Sequence, residues 1–201
     1  TNQKGRYPLH LHHNMGPMTP PSNGYQFTII GNLVDGGDLE YNKFKWPFTV
    51  HNSHYGLLKD NIAYNFGGSG YQTEDGSESY NVYDHNFAIK GWSTRPNRGD
   101  GCGSNNDGVV DLGCEPTGFY FRGPNNYVRN NVASAILSRG ANSSYGFAFF
   151  SLHLGNVKVP NYQGADTAVA GQYTLVDGNS LPIREFSGNE VYGATESGAT
   201  F

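Results

Sequence analysis

Three histidines and a glutamate fall at one parity of three short alternating segments. They are His10 and His12 in Leu9-His10-Leu11-His12-His13, His51 in Phe48-Thr49-Val50-His51-Asn52, and Glu74 in Gly70-Tyr71-Gln72-Thr73-Glu74-Asp75. Imidazoles beside a carboxylate can pass protons to and from a substrate. A His-x-His pair with a further His and a Glu can instead hold a transition metal. Two later segments of the same design, Gly118-Phe119-Tyr120-Phe121-Arg122-Gly123 and Gly146-Phe147-Ala148-Phe149-Phe150-Ser151, add Tyr120 and Arg122 at that parity, and Gln72 shares it. A guanidinium can grip a carboxylate with two parallel hydrogen bonds, as a uronic acid would require. Tyr120 can donate a proton or stack on a sugar ring. The sequence therefore gives His10, His12, His51 and Glu74 as candidate catalytic residues, and His10, His12 and His51 as candidate metal ligands. Tyr120, Arg122 and Gln72 are the candidate substrate contacts.

This grouping needs a particular scaffold. In a strand, side chains alternate between faces and residues two apart lie about 6.7 Å apart, while neighbouring strands lie about 4.8 Å apart. Stacked in register, the five segments turn Leu9, Leu11, Phe48, Val50, Tyr71, Thr73, Phe119, Phe121, Phe147 and Phe149 inward. The polar set then gathers on the outer face, and a slip of one residue would exchange the two faces. His13 falls on the inward parity and reads as a strand-end residue. His85 reads as structural, His54 and His153 have no assigned role, and Asp75-Gly76 reads as a turn.

A second set of echoes points to the same scaffold. The segment 57–65, Leu-Leu-Lys-Asp-Asn-Ile-Ala-Tyr-Asn, returns at 80–89 and at 126–135, and more weakly at 186–193. From Asn61 to Asn86 is one turn of a wide β-solenoid; the longer step to Asn131 adds an insertion. Repeats this short cannot bury an apolar face alone and must stack. Asn at a fixed corner tolerates the left-handed backbone of a bend, and its amide can bond to the coils above and below. Helical periodicity is almost absent, and Gly, Asn, Asp and Pro separate the strand segments, which is an all-β pattern. The expected fold is a right-handed parallel β-helix with long loop insertions, one domain over 1–201, read as a segment of a larger protein.

Composition bounds the function. Charged residues make up 15% of the chain, while Gly numbers 28 of 201, Tyr 14 and Phe 12. That is low charge and high glycine for a soluble domain, with too many aromatics for disorder. The net charge of −4 argues against a nucleic-acid partner. No window has the length of a transmembrane helix. The stretch 93–116 has no strand alternation and reads as an inserted loop, and 155–180 as a second irregular excursion. Within the first, Asp100, Asp107 and Asp111, with Asn105 and Asn106, are hard oxygen ligands of the kind calcium takes, although not at EF-hand spacing. Cys102 and Cys114 read as a disulfide, worth about 3 kcal/mol in the chain-entropy model, with metal binding as the rival. A disulfide implies an oxidising compartment. Asn142-Ser143-Ser144 is a glycosylation sequon, and Arg98-Gly99-Asp100 matches a common adhesion tripeptide.

The order of several segments resembles one family. Gly5-Arg6-Tyr7-Pro8-Leu9-His10-Leu11-His12 is similar to a GRYP-x-H-x-H segment of the family of the cell-migration-inducing hyaluronan-binding protein and its transmembrane hyaluronidase relative. Thr49-Val50-His51 with Gly56-Leu57-Leu58-Lys59-Asp60, then Thr73-Glu74-Asp75-Gly76-Ser77-Glu78 with Asn81 and His85-Asn86, continue the resemblance. Pro124-Asn125-Asn126, Gly146 to Phe150, and Phe186-Ser187-Gly188-Asn189 follow in order, Gly188 departing from the family's F-x-N-N. The resemblance implies a right-handed parallel β-helix, extracellular or cell-surface placement, and action on glycosaminoglycan, without the flanking modules of that family. The first functional expectation is therefore cleavage of an acidic polysaccharide, by hydrolysis or β-elimination, with calcium or a transition metal as the candidate cofactor. A carbohydrate-binding module without turnover and a structural or adhesive unit are the alternatives. Flanking domains or end-to-end protomers are the expected protein partners.

Overall fold

Asparagine and glycine set the corners of this molecule, and alternating aromatics fill it. The computed structural model describes residues 7–14, 24–37, 46–93, 115–138, 143–150, 155–160 and 173–201. The first sheet contains β1 (Leu9–His12), β4 (Phe48–His51), β7 (Ser69–Thr73), β10 (Thr117–Phe121), β13 (Tyr145–Phe149) and β18 (Ser197–Thr200), hydrogen-bonded in that order. The second runs from β2 (Phe27–Ile30) through β5 (Gly56–Lys59), β8 (Val82–Asp84) and β11 (Tyr127–Arg129) to β16 (Glu185–Ser187). The third runs from β3 (Leu33–Asp35) through β6 (Ile62–Gly67), β9 (Phe87–Ser93) and β12 (Val132–Ser138) to β17 (Glu190–Ala194). All pairings in these three sheets are parallel, and each strand bonds to its counterpart one coil away. The molecule is a parallel β-helix.

The stacking register is the one the side-chain parity requires. Leu9 pairs with Phe48, Phe48 with Tyr71, Tyr71 with Phe119 and Phe119 with Phe147. The rings of Phe48, Tyr71, Phe119 and Phe147 stack nearly parallel, with successive centroids 4.7, 4.5 and 4.8 Å apart. Such pairs add about 0.5–1.5 kcal/mol each beyond area burial. Leu58, Ala63, Phe66, Tyr83, Ala88, Val128, Ala133 and Ile136 from the other two sheets complete the core.

The asparagine corner is a continuous ladder. The main-chain and side-chain N–H groups of Asn61 both donate to Asn86 Oδ1, at 3.1 and 3.0 Å, and Asn86 donates likewise to Asn131. The ladder extends to Asn32 at one end and Asn189 at the other. Each remaining amide N–H caps a main-chain carbonyl, such as Leu58 O for Asn86. The left-handed backbone lies one residue earlier than expected, at Gly31, Asp60, His85, Asn130 and Gly188. The ladder asparagine needs ordinary φ so that its amide points along the stack, which leaves its predecessor to make the bend. Gly188 is thus the residue best suited to its place.

The excursion read as irregular over 155–180 contains regular structure. β14 (Asn156–Pro160) pairs antiparallel with β15 (Tyr173–Asp177), followed by a 3₁₀ turn, Gly178–Ser180. On the other excursion, β9 ends at Ser93 and β10 begins at Thr117. Asp100, Asp107, Asp111, Asn105, Asn106, Cys102, Cys114, Asn142 and His153 lie outside the described residues, as does the tripeptide 98–100.

Candidate functional site: a histidine and carboxylate wall

The outer face of the first sheet carries two rows, set by the same register. In one, His10 aligns with Thr49, Gln72, Tyr120 and Ala148. In the other, His12 aligns with His51, and Glu74 and Arg122 follow on the next two coils. The rows differ in access. Thr49, Gln72, Tyr120 and Ala148 are buried, whereas His12 is exposed and His51, Glu74 and Arg122 are half-buried. Tyr120 at 2% and Gln72 at 3% exposure therefore do not present a surface to a polymer in this structure.

The second row, with His10 reaching in from the first, draws the expected residues together. His51 Nδ1 lies 3.0 Å from Glu74 Oε2, and His10 Nε2 lies 3.7 Å from the same oxygen. His51 Nε2 lies 3.1 Å from Asp75 Oδ2, so the imidazole is held between two carboxylates. The His10 ring is 5.2 Å from His12 and 5.8 Å from His51, and His12 is 4.6 Å from His51. Arg122 Nη1 donates to the Glu74 main-chain carbonyl at 3.2 Å. That bond fixes the strand end that carries Glu74 and keeps the guanidinium beside the cluster. His12 is held below the usual imidazole pKa by lost hydration and by charge on His51 and His13, with Asp75 opposing.

Four further residues belong to this wall, and the sequence reading assigned none of them there. His13 takes φ +56° at the corner, which swings its ring outward to 4.2 Å from His12 and 5.0 Å from His51. Strict alternation, which placed it inward, ends at that bend. Asp75 is part of a turn, as expected, yet its carboxylate reaches His51. The spacing of a carboxylate immediately after Glu74 was the available signal. The Tyr7 hydroxyl is 3.5 Å from Glu74 Oε1, and its ring stands edge-on to His10. Trp46, buried, stacks on Tyr7 with centroids 4.7 Å apart. Neither aromatic lies within an alternating segment, so parity gave no hint of either.

The turn beneath is organised by Glu78, which is fully buried. Its carboxylate accepts N–H bonds from Asn52, Asp75 and Gly76 at 2.8–2.9 Å. Burial pushes its pKa up, and main-chain N–H groups, among them those of Asn52 and Asp75, offset part of that rise. Asn52 in turn stands against His13, with Nδ2 3.4 Å from His13 Nδ1. One buried carboxylate thus ties the Asp75 turn to the histidine corner. His54 is buried elsewhere, and desolvation lowers its pKa to about 4. Its Nδ1 accepts the Ser79 N–H at 3.2 Å. His85 bonds Asp60 across the asparagine corner at 2.6 Å, in keeping with a structural place.

Two groups of three ligand atoms lie within 4.8 Å of one another among the described residues: His12, His13 and His51, and His10, His51 and Glu74. The expected trio of His10, His12 and His51 is divided between them.

A parallel β-helix with a histidine and carboxylate wall at the first coils of one sheet is the class of molecule these features define. The chain belongs to the CEMIP β-helix family, whose model matches residues 1–199. It is also similar to fibrocystin-L of Mus musculus, 27% identical over 135 residues, and of Homo sapiens, 26% identical over 134. Each match covers 65% of this chain but 2% of the relative, so the chain corresponds to a small part of those proteins. No solved structure matches it. Among the described residues no helix is long and apolar enough to cross a membrane.

Proposed function

We propose that this chain is the working coil stack of an extracellular carbohydrate-active protein that cleaves an acidic polysaccharide of the hyaluronan class. The observation that carries the reading is Glu74 Oε2 shared between His51 at 3.0 Å and His10 at 3.7 Å on a solvent-accessible wall. A carboxylate that orients an imidazole sets its tautomer and stabilises the imidazolium that proton transfer creates. A second imidazole on the same carboxylate supplies the partner that returns the proton to the leaving oxygen. Arg122 stands beside Glu74 and has further N–H groups with which to meet a uronate carboxylate. Membership of the family supports the hyaluronan class and the extracellular placement in this reading.

Two chemistries use these groups. In β-elimination the base takes the C5 proton of the uronate, the C4–O bond breaks, the C4=C5 bond forms and the acid protonates the departing oxygen. In hydrolysis water attacks the anomeric carbon instead, the base takes the water's proton, the C1–O bond breaks and the acid protonates the departing oxygen. Incubation with hyaluronan, chondroitin, alginate and pectin, followed by sizing and ultraviolet absorbance, separates the two, since only elimination leaves an unsaturated uronate. Chain shortening by the parent protein, lost in both His51→Ala and Glu74→Gln with circular dichroism unchanged, is the expected result. Equal shortening by both variants refutes the assignment. Binding of intact polymer with no shortening would leave a binding module.

A further inference from the structure

We infer that His12, His13 and His51 form a three-imidazole site for a divalent first-row transition metal of the zinc class. Their ligand nitrogens lie within 4.8 Å of one another. Ring centroids are 4.2, 4.6 and 5.0 Å apart around the triangle. Zinc bonds imidazole nitrogen at about 2.0–2.1 Å, so small side-chain rotations suffice to bring three such nitrogens onto one ion.

The backbone prepares the triangle. His12 and His51 are register partners at the ends of β1 and β4. His13 follows at a corner with φ +56°, and the bend places two consecutive histidines on the same side. Asn52 occupies the matching corner with φ +43° and stands 3.4 Å from His13 Nδ1. The corner is therefore a feature of the coil, and His13 exploits it.

The neighbours supply what a metal-bound imidazole ordinarily has. Metal-ligating histidines commonly give their other ring nitrogen to a carboxylate, which fixes the ring and raises its basicity. Glu74 Oε2 occupies that place at 3.0 Å from His51 Nδ1. This leaves His51 Nε2 for the ion, on the side where Asp75 Oδ2 lies at 3.1 Å. Asp75 can then serve as a fourth ligand or yield that position to water or to a sugar oxygen. His12 and His13 are exposed, so the ion has a path from solvent.

The inference concerns the wall of the proposed activity but does not depend on it, because metal binding is measured without substrate. Titration of metal-free protein with Zn²⁺ in a calorimeter, and with Co²⁺ by visible absorbance, reads stoichiometry and coordination. One equivalent should bind, with Co²⁺ bands of tetrahedral intensity. His13→Ala should weaken binding by about 100-fold or more, since loss even of a supporting partner costs about 10–100-fold. His10→Ala should change affinity by less than about threefold. His85→Ala serves as the control for exposed histidine, and circular dichroism as the control for folding. No binding by the parent protein overturns the inference. So does equal affinity in His13→Ala, or loss in His10→Ala with His13→Ala unaffected, which would put the ion on His10, His51 and Glu74. Polysaccharide cleavage that persists in His13→Ala under chelator would leave the proposed activity standing whatever the metal titration shows.

Discussion

Two corners of the same coil use stacking in opposite ways. At the asparagine corner, identical neutral side chains repeat from Asn32 to Asn189, and each donates to the next while capping a main-chain carbonyl. Asn61, Asn86 and Asn131 are buried. At the histidine corner, successive positions carry His12, His51 and Glu74, two imidazoles and a carboxylate, with His12 exposed and the other two half-buried. Burial without charge is stable only when every polar group is paired, as the asparagines are. A titratable wall is affordable only where water reaches it. Stacking thus multiplies one kind of bond at the first corner and assembles unlike groups at the second.

Substitutions at the two corners should fail differently. The largest expected effect is on turnover at the histidine corner. His51→Ala should reduce polysaccharide cleavage by about 10²–10⁴-fold, the usual contribution of a general acid or base, while the urea midpoint barely moves. A collapse of stability instead would make this corner structural like the other.

Asn86→Ala should do the reverse. It removes the acceptor for the Asn61 N–H and the donor for Leu58 O, both in the interior. Orphaned buried groups cost about 1–3 kcal/mol each, so a loss of about 2–6 kcal/mol is expected by urea unfolding. A loss under about 1 kcal/mol would mean that the ladder decorates the fold and does not hold it.

His54 sharpens the contrast, because it is a histidine buried as deeply as the asparagines are. Its folded pKa of about 4 lies below the unfolded value of 6.5. Protons therefore bind the unfolded chain first. The full stability is present above about pH 6.5 and is lost as pH falls toward 4, by about 3 kcal/mol in total. Thermal unfolding across that window should show the slope in the parent protein and a flatter one in His54→Gln. Equal slopes would assign acid sensitivity to other groups.

The smallest effect concerns the bend itself. Gly188→Ala places a Cβ at φ +61° and within 2.5 Å of Asn130 Oδ1. A left-handed non-glycine residue costs about 1–2 kcal/mol, measurable as a lowered urea midpoint. Since Asp60, His85 and Asn130 hold the same bend, the variant should still fold.

Much of this was readable in the chain. The inward series from Leu9 to Phe149 and the spacing of Asn61, Asn86 and Asn131 are local regularities that the backbone imposes. They suffice for the fold and for bringing His51 beside Glu74. The wall's other members were not legible. His13 leaves the strand at a bend, Asp75 acts from within a turn, and Tyr7 and Trp46 arrive from outside the repeated segments. Gln72 and Tyr120 have the outward parity yet are buried.

The sequence by itself determined which way the residues of the first sheet point, because alternation there is uninterrupted. In β6 and β12 a left-handed residue, Asn65 or Ala135, shifts it, so that Ala63 and Phe66, or Ala133 and Ile136, face the core three residues apart. The tertiary structure alone decided which outward residues meet water and which corners turn a ring into the wall. Those outcomes depend on residues distant in the chain, such as Glu78 gathering the N–H groups of Asn52, Asp75 and Gly76, and no short pattern encodes them.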